Sequence, residues 1–169
     1  MQNYKDIKKI AFENDNNCCT VISASIIFNK DYNKIHSYFA QNGRKNGKGL
    51  GWYTYKNLMR NLAEKYGFKL CTYELTKYLI KNTWSWQNRE NEALCFVNSR
   101  TALTVNNFDN YLPKGDYLLG VKNHVLAVKN NVVHDWTADK KIPITEIIKV
   151  ESNKKVKEHN FYKFDFSKF

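Results

Sequence analysis

Hydrophobic positions along this chain fall first at helical spacing and later into short alternating runs, so helices are expected to precede strands. After the Asn/Asp-rich stretch 14–17, residues 20–28 are continuously apolar or small, too long a run for an average strand and preceded by residues that favour helix caps. This predicts a buried helix. Ile35, Tyr38 and Phe39 share a face of a second helix over 32–41, which Asn42 and Gly43 stop. Leu58, Met59, Leu62 and Tyr66 form the stripe of a third over 55–66, ended by Gly67. Between these two, Gly43, Gly47, Gly49 and Gly51 predict a mobile loop beside whatever cleft the fold creates.

Strand patterns follow at 69–73 and 93–98, separated by a helix-like segment over 76–82 and a polar loop containing Trp84 and Trp86. A helical turn near 105–111 ends before Pro113. Residues 117–121, 125–129 and 132–136 predict successive antiparallel strands, with Asn130 and Asn131 supplying the positive backbone angles of a tight hairpin. Tyr162, Phe164 and Phe166 lie on one face of an expected terminal strand. Helices first and an antiparallel sheet later define an α+β chain, expected as one domain over 1–169 without internal repeats.

Length and composition change this picture little: 169 residues with 43% apolar content supply one sizeable core. The amino terminus lacks an apolar signal segment and no apolar run is long enough to span a bilayer, so a cytoplasmic protein without membrane association is expected. Reduced cysteines fit that compartment. The net charge of +11 invites a nucleic-acid partner, yet only Arg44, Arg60, Arg89 and Arg100 carry the forked donor that reads phosphate and guanine. The excess of Lys, Asn and Ile resembles the codon bias of an AT-rich genome. Attraction of an acidic protein or peptide is therefore the preferred meaning of the charge, with no specific nucleic-acid recognition.

The candidate chemistry lies in a cysteine pair, Cys18 and Cys19, at the start of the first predicted helix, and in His124 within the later hairpin. A thiol is a strong nucleophile near neutral pH only as thiolate, which a helix N-terminus and an imidazolium both favour. If Asn130 and Asn131 form a two-residue turn, Lys129 pairs with Val132, and counting outward sets Leu126 opposite Asp135 and His124 opposite Thr137. His124 and Asp135 then become diagonal neighbours on one face, about 7 to 8 Å apart at the backbone. His134 and Trp136 point the other way. A lone histidine is more often a satisfied core residue than a base, and a free cysteine is most often small apolar packing. Thiol, base and orienting acid in this order carry more weight together. A metal site from Cys18, Cys19, His124 and His134 lacks ligand spacing, and the glycine loop lacks the strand and Lys-Ser/Thr of a phosphate cradle; neither metal nor cofactor is expected.

The stretches NDNNCC, GRKNGKG, LPKGDYLLGVKNHVLAV and VVHDW, in that order over roughly residues 12–136, resemble the papain-like cysteine peptidases, and more narrowly small phage and bacterial C39-like members. The resemblance implies a papain-like fold in which the nucleophile opens a central helix and His and Asp come from the sheet packed on it. Here Asn16 and Asn17 separate the Asn-Asp pair from the cysteines, so either cysteine fits the motif. CTVISA is similar to the papain-type Cys followed by Ser-Ala, which favours Cys19. The backbone amide of Cys19 with a side-chain amide of Asn17 or Asn14 then supplies the oxyanion donors.

The expected function is a cysteine peptidase or isopeptidase working through Cys19, His124 and Asp135 by a thioester, in a host cytoplasm if phage-encoded. Two alternatives use the same features: an acyl-transfer enzyme of the transglutaminase or amidase type, and a non-catalytic basic adaptor that binds acidic protein or nucleic acid.

Overall fold

A computed structural model describes residues 4–77, 83–98 and 103–153. Four helices come first: α1 (Tyr4–Asn14), α2 (Cys19–Phe28), α3 (Tyr32–Gln41) and α4 (Trp52–Tyr66). Seven strands follow: β1 (Phe68–Lys77), β2 (Thr83–Gln87), β3 (Ala93–Asn98), β4 (Asp116–Val121), β5 (His124–Lys129), β6 (Val132–His134) and β7 (Glu146–Ser152). They form one antiparallel sheet in the order β3-β2-β1-β7-β4-β5-β6. The chain is therefore α+β.

The organising element is α2. Every residue from Thr20 to Phe28 is buried, as its unbroken apolar run requires. It packs on β5 and β4 and is flanked by α1, α3 and α4. Two serines inside it are satisfied locally, Ser25 Oγ donating to Val21 O at 2.8 Å and Ser23 Oγ lying 2.9 Å from the hydroxyl of Tyr55 on α4. Its C-terminus turns through Asn29, left-handed at φ 52°, and Lys129 of β5 donates its ammonium to the carbonyls of Ile26 and Ile27 at 2.9 and 3.1 Å. A cation on terminal carbonyls favours the negative end of the helix dipole. It also ties helix and strand together.

Alternation along the central strands divides the core. Leu118, Val125, Ala127, Ile148 and Val150 face the helices, whereas Tyr117, Leu119, Leu126, Val128 and Ile147 enter a second cluster. Leu103, Val105, Phe108 and Leu112, with Trp86 of β2 and Val97 of β3, complete that second cluster. Burial on both faces explains why β4 and β5 read as continuous apolar runs.

Several expectations need correction. The segment holding Trp84 and Trp86 is strand β2, with Trp86 2% exposed, because the indoles cover the sheet instead of meeting water. Residues Thr76 and Lys77 extend β1, so the helix expected over 76–82 is absent there, and its remainder lies outside the described residues. The expected strand at Tyr162, Phe164 and Phe166 also lies outside them. Helix α1 and strand β7, not anticipated at all, supply a flank of α2 and the centre of the sheet. The turn at Asn130 and Asn131 is as expected, with φ of 51° and 64° and Lys129 paired with Val132. Among the described residues no helix is long and apolar enough to cross a membrane.

Lys129→Met keeps the apolar stem and removes both bonds to α2, so a loss of roughly 1–2 kcal/mol is expected. Urea unfolding with an unchanged m-value checks it.

Candidate active site

Cys19 is the first residue of α2 and Cys18 is its N-cap. Successive residues at a helix start point about 100° apart, so the two thiols diverge. Cys18, 5% exposed, joins the core near Tyr32, while Cys19 is half-buried and lines a cleft of about 520 Å³. Burial, reinforced by the charge of Asp15, raises the Cys18 thiol above its ordinary range. Burial also pushes Cys19 upward, but hydrogen bonds from His124 and from the amides of Val125 and Thr20, with the imidazolium charge, outweigh it and bring that thiol below its ordinary value.

His124 follows a two-residue turn, Lys122 and Asn123, and opens β5 opposite Val121. Its Nε2 lies 3.0 Å from both carboxylate oxygens of Asp135, which leaves Nδ1 for the thiol. Burial disfavours the charged ring, yet the bonds to Asp135 and Cys19 more than offset it and raise His124 to about 9. Asp135 is itself oriented: its Oδ1 accepts the backbone N–H of Thr137 at 2.9 Å and the Thr137 hydroxyl at 2.7 Å. The fully buried Thr137 was not singled out from sequence, although Asp-x-Thr is the pattern of a side-chain-closed turn.

One part of the hairpin arithmetic fails. Strand β6 ends at His134 and 136–139 form a turn, so alternation no longer governs Trp136, whose ring centroid sits 5.6 Å from that of His124. Trp136 covers the imidazole instead of pointing away. His134, opposite Ala127, lies outside the Cys19, His124 and Asp135 cluster. Helix α1 adds Tyr4, whose hydroxyl meets the backbone amide of Trp136; burial and the nearby Asp135 carboxylate push it up to about 12.

Asn17 lines the cleft with Cys19. Its backbone N–H donates to Asp15 Oδ1 at 3.0 Å and its carbonyl accepts from Arg44, so both main-chain groups are engaged. The side-chain amide stands beside Gly49, where an added Cβ would lie 3.5 Å from Asn17 Nδ2. Asn14 ends α1, and its side chain lies outside the described residues. The first-turn amide of Cys19 has no carbonyl four residues earlier within the helix to accept it.

Asp15 and Arg44, neither chosen as a site residue from sequence, form a buried ion pair with side chains 0% and 1% exposed. Burial alone would raise Asp15, but the amides of Asn17 and Gly47 and the guanidinium hold its carboxyl below the usual range. His36 Nε2 stands 3.7 Å away. The pair joins the Asn-Asp stretch to the Gly-Arg-Lys loop, and Gly47 N–H donates to Asp15 at 2.8 Å. The glycine loop therefore lies beside the cleft as expected, tied down at Arg44 and Gly47. No three His, Cys, Asp or Glu side chains among the described residues gather as a metal ion would require.

Comparison with known proteins finds no matching family model, no matching curated protein and no matching solved structure.

Cys19 is expected to be alkylated first near neutral pH, ahead of Cys18, Cys71 and Cys95, because burial raises those three, Cys95 to about 12. Peptide mapping after brief iodoacetamide treatment gives the order. Arg44→Ala strands the Asp15 carboxylate in the core and should cost about 3–5 kcal/mol in urea unfolding, with part recovered by adding Asp15→Asn.

Proposed function

We propose that this protein is a papain-like cysteine peptidase or isopeptidase. The observation that carries the reading is the convergence of a helix-start thiol, an imidazole and an oriented carboxylate: Cys19 and His124 line one cleft, and His124 Nε2 stands 3.0 Å from Asp135. Support also comes from the opposite shifts of the two groups, thiol down and imidazole up, which favour a thiolate–imidazolium pair.

In the proposed reaction the Cys19 thiolate attacks a peptide or isopeptide carbonyl carbon, forming a C–S bond and a tetrahedral oxyanion. The Cys19 amide and the Asn17 side chain are the donors assigned to that oxygen. His124 gives its Nδ1 proton to the departing nitrogen as the C–N bond breaks. The ring then takes a proton from water, whose oxygen displaces the thiol from the thioester and releases the acid. Asp135 acts as a positioning residue, holding the ring through Nε2. The expected substrate is a protein or peptide, and the net charge of +11 favours encounter with an acidic one.

Turnover of a peptide library resolved by mass spectrometry tests the reading. Cys19→Ala should abolish hydrolysis and His124→Ala should lower it at least about a hundredfold, with a smaller loss for Asp135→Ala and little change for His134→Ala. No hydrolysis by the unaltered chain, or equal losses at His134 and His124, would overturn it. The pH profile has a stated sign. The imidazolium, favoured in the fold, is fully present below the ordinary histidine value and lost as pH rises through about 9, so the alkaline limb should lie near 9. The acid limb should lie below the ordinary thiol value, where Cys19 gains its proton.

A further inference from the structure

Glu146 opens β7 opposite Gly120 of β4 and lines the same cleft as Cys19 and His124. The approach at that pair is close: a Cβ placed on Gly120 would stand 2.8 Å from Glu146 Cβ, 3.2 Å from its Cγ and 3.2 Å from Trp52 Cη2. Only a glycine lets the carboxylate stem and the indole edge converge over one bare backbone position. The neighbouring Thr145 fixes this strand edge, donating its N–H at 2.8 Å and its hydroxyl at 3.1 Å to the Gly120 carbonyl. Among the described residues, Glu146 is the one carboxylate that lines the cleft, and Lys122, on the exposed β4–β5 turn, the one lysine. Among the described residues no ion pair engages Glu146. Asp31 and Asp116 are half-buried without an ion pair too, but each accepts a backbone N–H, Lys34 and Asn130 respectively, whereas Glu146 faces the cleft that holds Cys19.

We propose that Glu146 and Trp52 form a subsite for a cationic side chain, lysine or arginine, of the substrate; as a specificity site this rests on the peptidase reading above. The carboxylate accepts charge-assisted hydrogen bonds from such a side chain, and the indole edge beside it offers apolar surface for that side chain's aliphatic stem. The net charge of the molecule opposes a basic ligand only at long range, where salt screens it beyond about 8 Å. Direct contact in a half-buried cleft is screened far less. The field governs encounter with an acidic protein, and Glu146 governs which residue of it sits beside the nucleophile.

The test separates binding from chemistry. Capped tetrapeptides with arginine at each of four positions, and counterparts with neutral citrulline, are titrated by NMR into the Cys19→Ala protein. At one position or more arginine should bind about tenfold tighter than citrulline, a preference lost on adding Glu146→Gln, which keeps the stem against Gly120. Glu146→Lys should instead favour glutamate-containing peptides. Equal affinity for arginine and citrulline at all four positions, or a preference that survives Glu146→Gln, would overturn the subsite. Iodoacetamide labelling of the chain with Cys19 intact reports on the chemistry alone. Unselective labelling beside an intact arginine preference would remove the peptidase and leave the subsite, and the reverse pattern would remove the subsite alone.

Discussion

Burial of α2 from Thr20 to Phe28 is the constraint on which the rest of the structure depends. A ten-residue helix with no polar face must be covered on every side, and here β4 and β5 cover one side while three helices cover the others. Each fully buried Ile or Phe contributes about 1.5–3 kcal/mol, so displacing the helix from the sheet exposes more than a marginally stable domain can lose. The helix ends are then determined as well. Lys129 holds the C-terminal carbonyls, and the other end of the same strand brings His124 to Cys19. One helix–strand contact, held at both ends, sets the spacing between the Cys19 thiol and the His124 imidazole.

The electrostatics of the site are layered around that contact. Asp135 is ordered by Thr137 before it orders His124, and Trp136 and Tyr4 cover the pair from the turn and from α1. At the approach to the helix, Asp15 and Arg44 perform a different task. They take up the main-chain groups of Asn17 and an amide of the glycine loop, so the backbone leading into Cys19 is held by a charged pair excluded from water. Such a pair gives little net stability compared with apolar packing, and its effect is on geometry. The cleft is thus bounded by a tied loop on one side and by the Gly120–Glu146 strand pair on the other.

Much of this was legible in the chain. The unbroken apolar run 20–28, the stripes at 32–41 and 55–66, and the Asn130-Asn131 turn are local signals, in which side-chain period and backbone preference act within a few residues. The hairpin register follows from the turn alone, which is why His124 and Asp135 could be paired by counting. Counting stopped working at His134, where the strand ends and Trp136 swings onto the imidazole. Strand β2 read as a loop because its flanks are polar, and β7, EIIKVES, offered only the adjacent Ile147 and Ile148 and a single Val150, without a turn to mark it.

The sequence by itself determined that helices precede an antiparallel sheet, that α2 is buried from Thr20 onward, and the partners in the hairpin, because each rests on short-range periodicity. Only the tertiary structure decided which of two adjacent thiols faces the cleft, since that depends on the rotation of α2 against β5. It alone joined Asp15 to Arg44, 29 positions apart in the numbering, and Gly120 to Glu146, 26 apart, because such pairs form when separate elements pack. Cys19, His124 and Asp135 could be named one by one from the chain, while Thr137, Asp15 and Arg44 could not. Their distances came from the packing of a buried helix on a sheet.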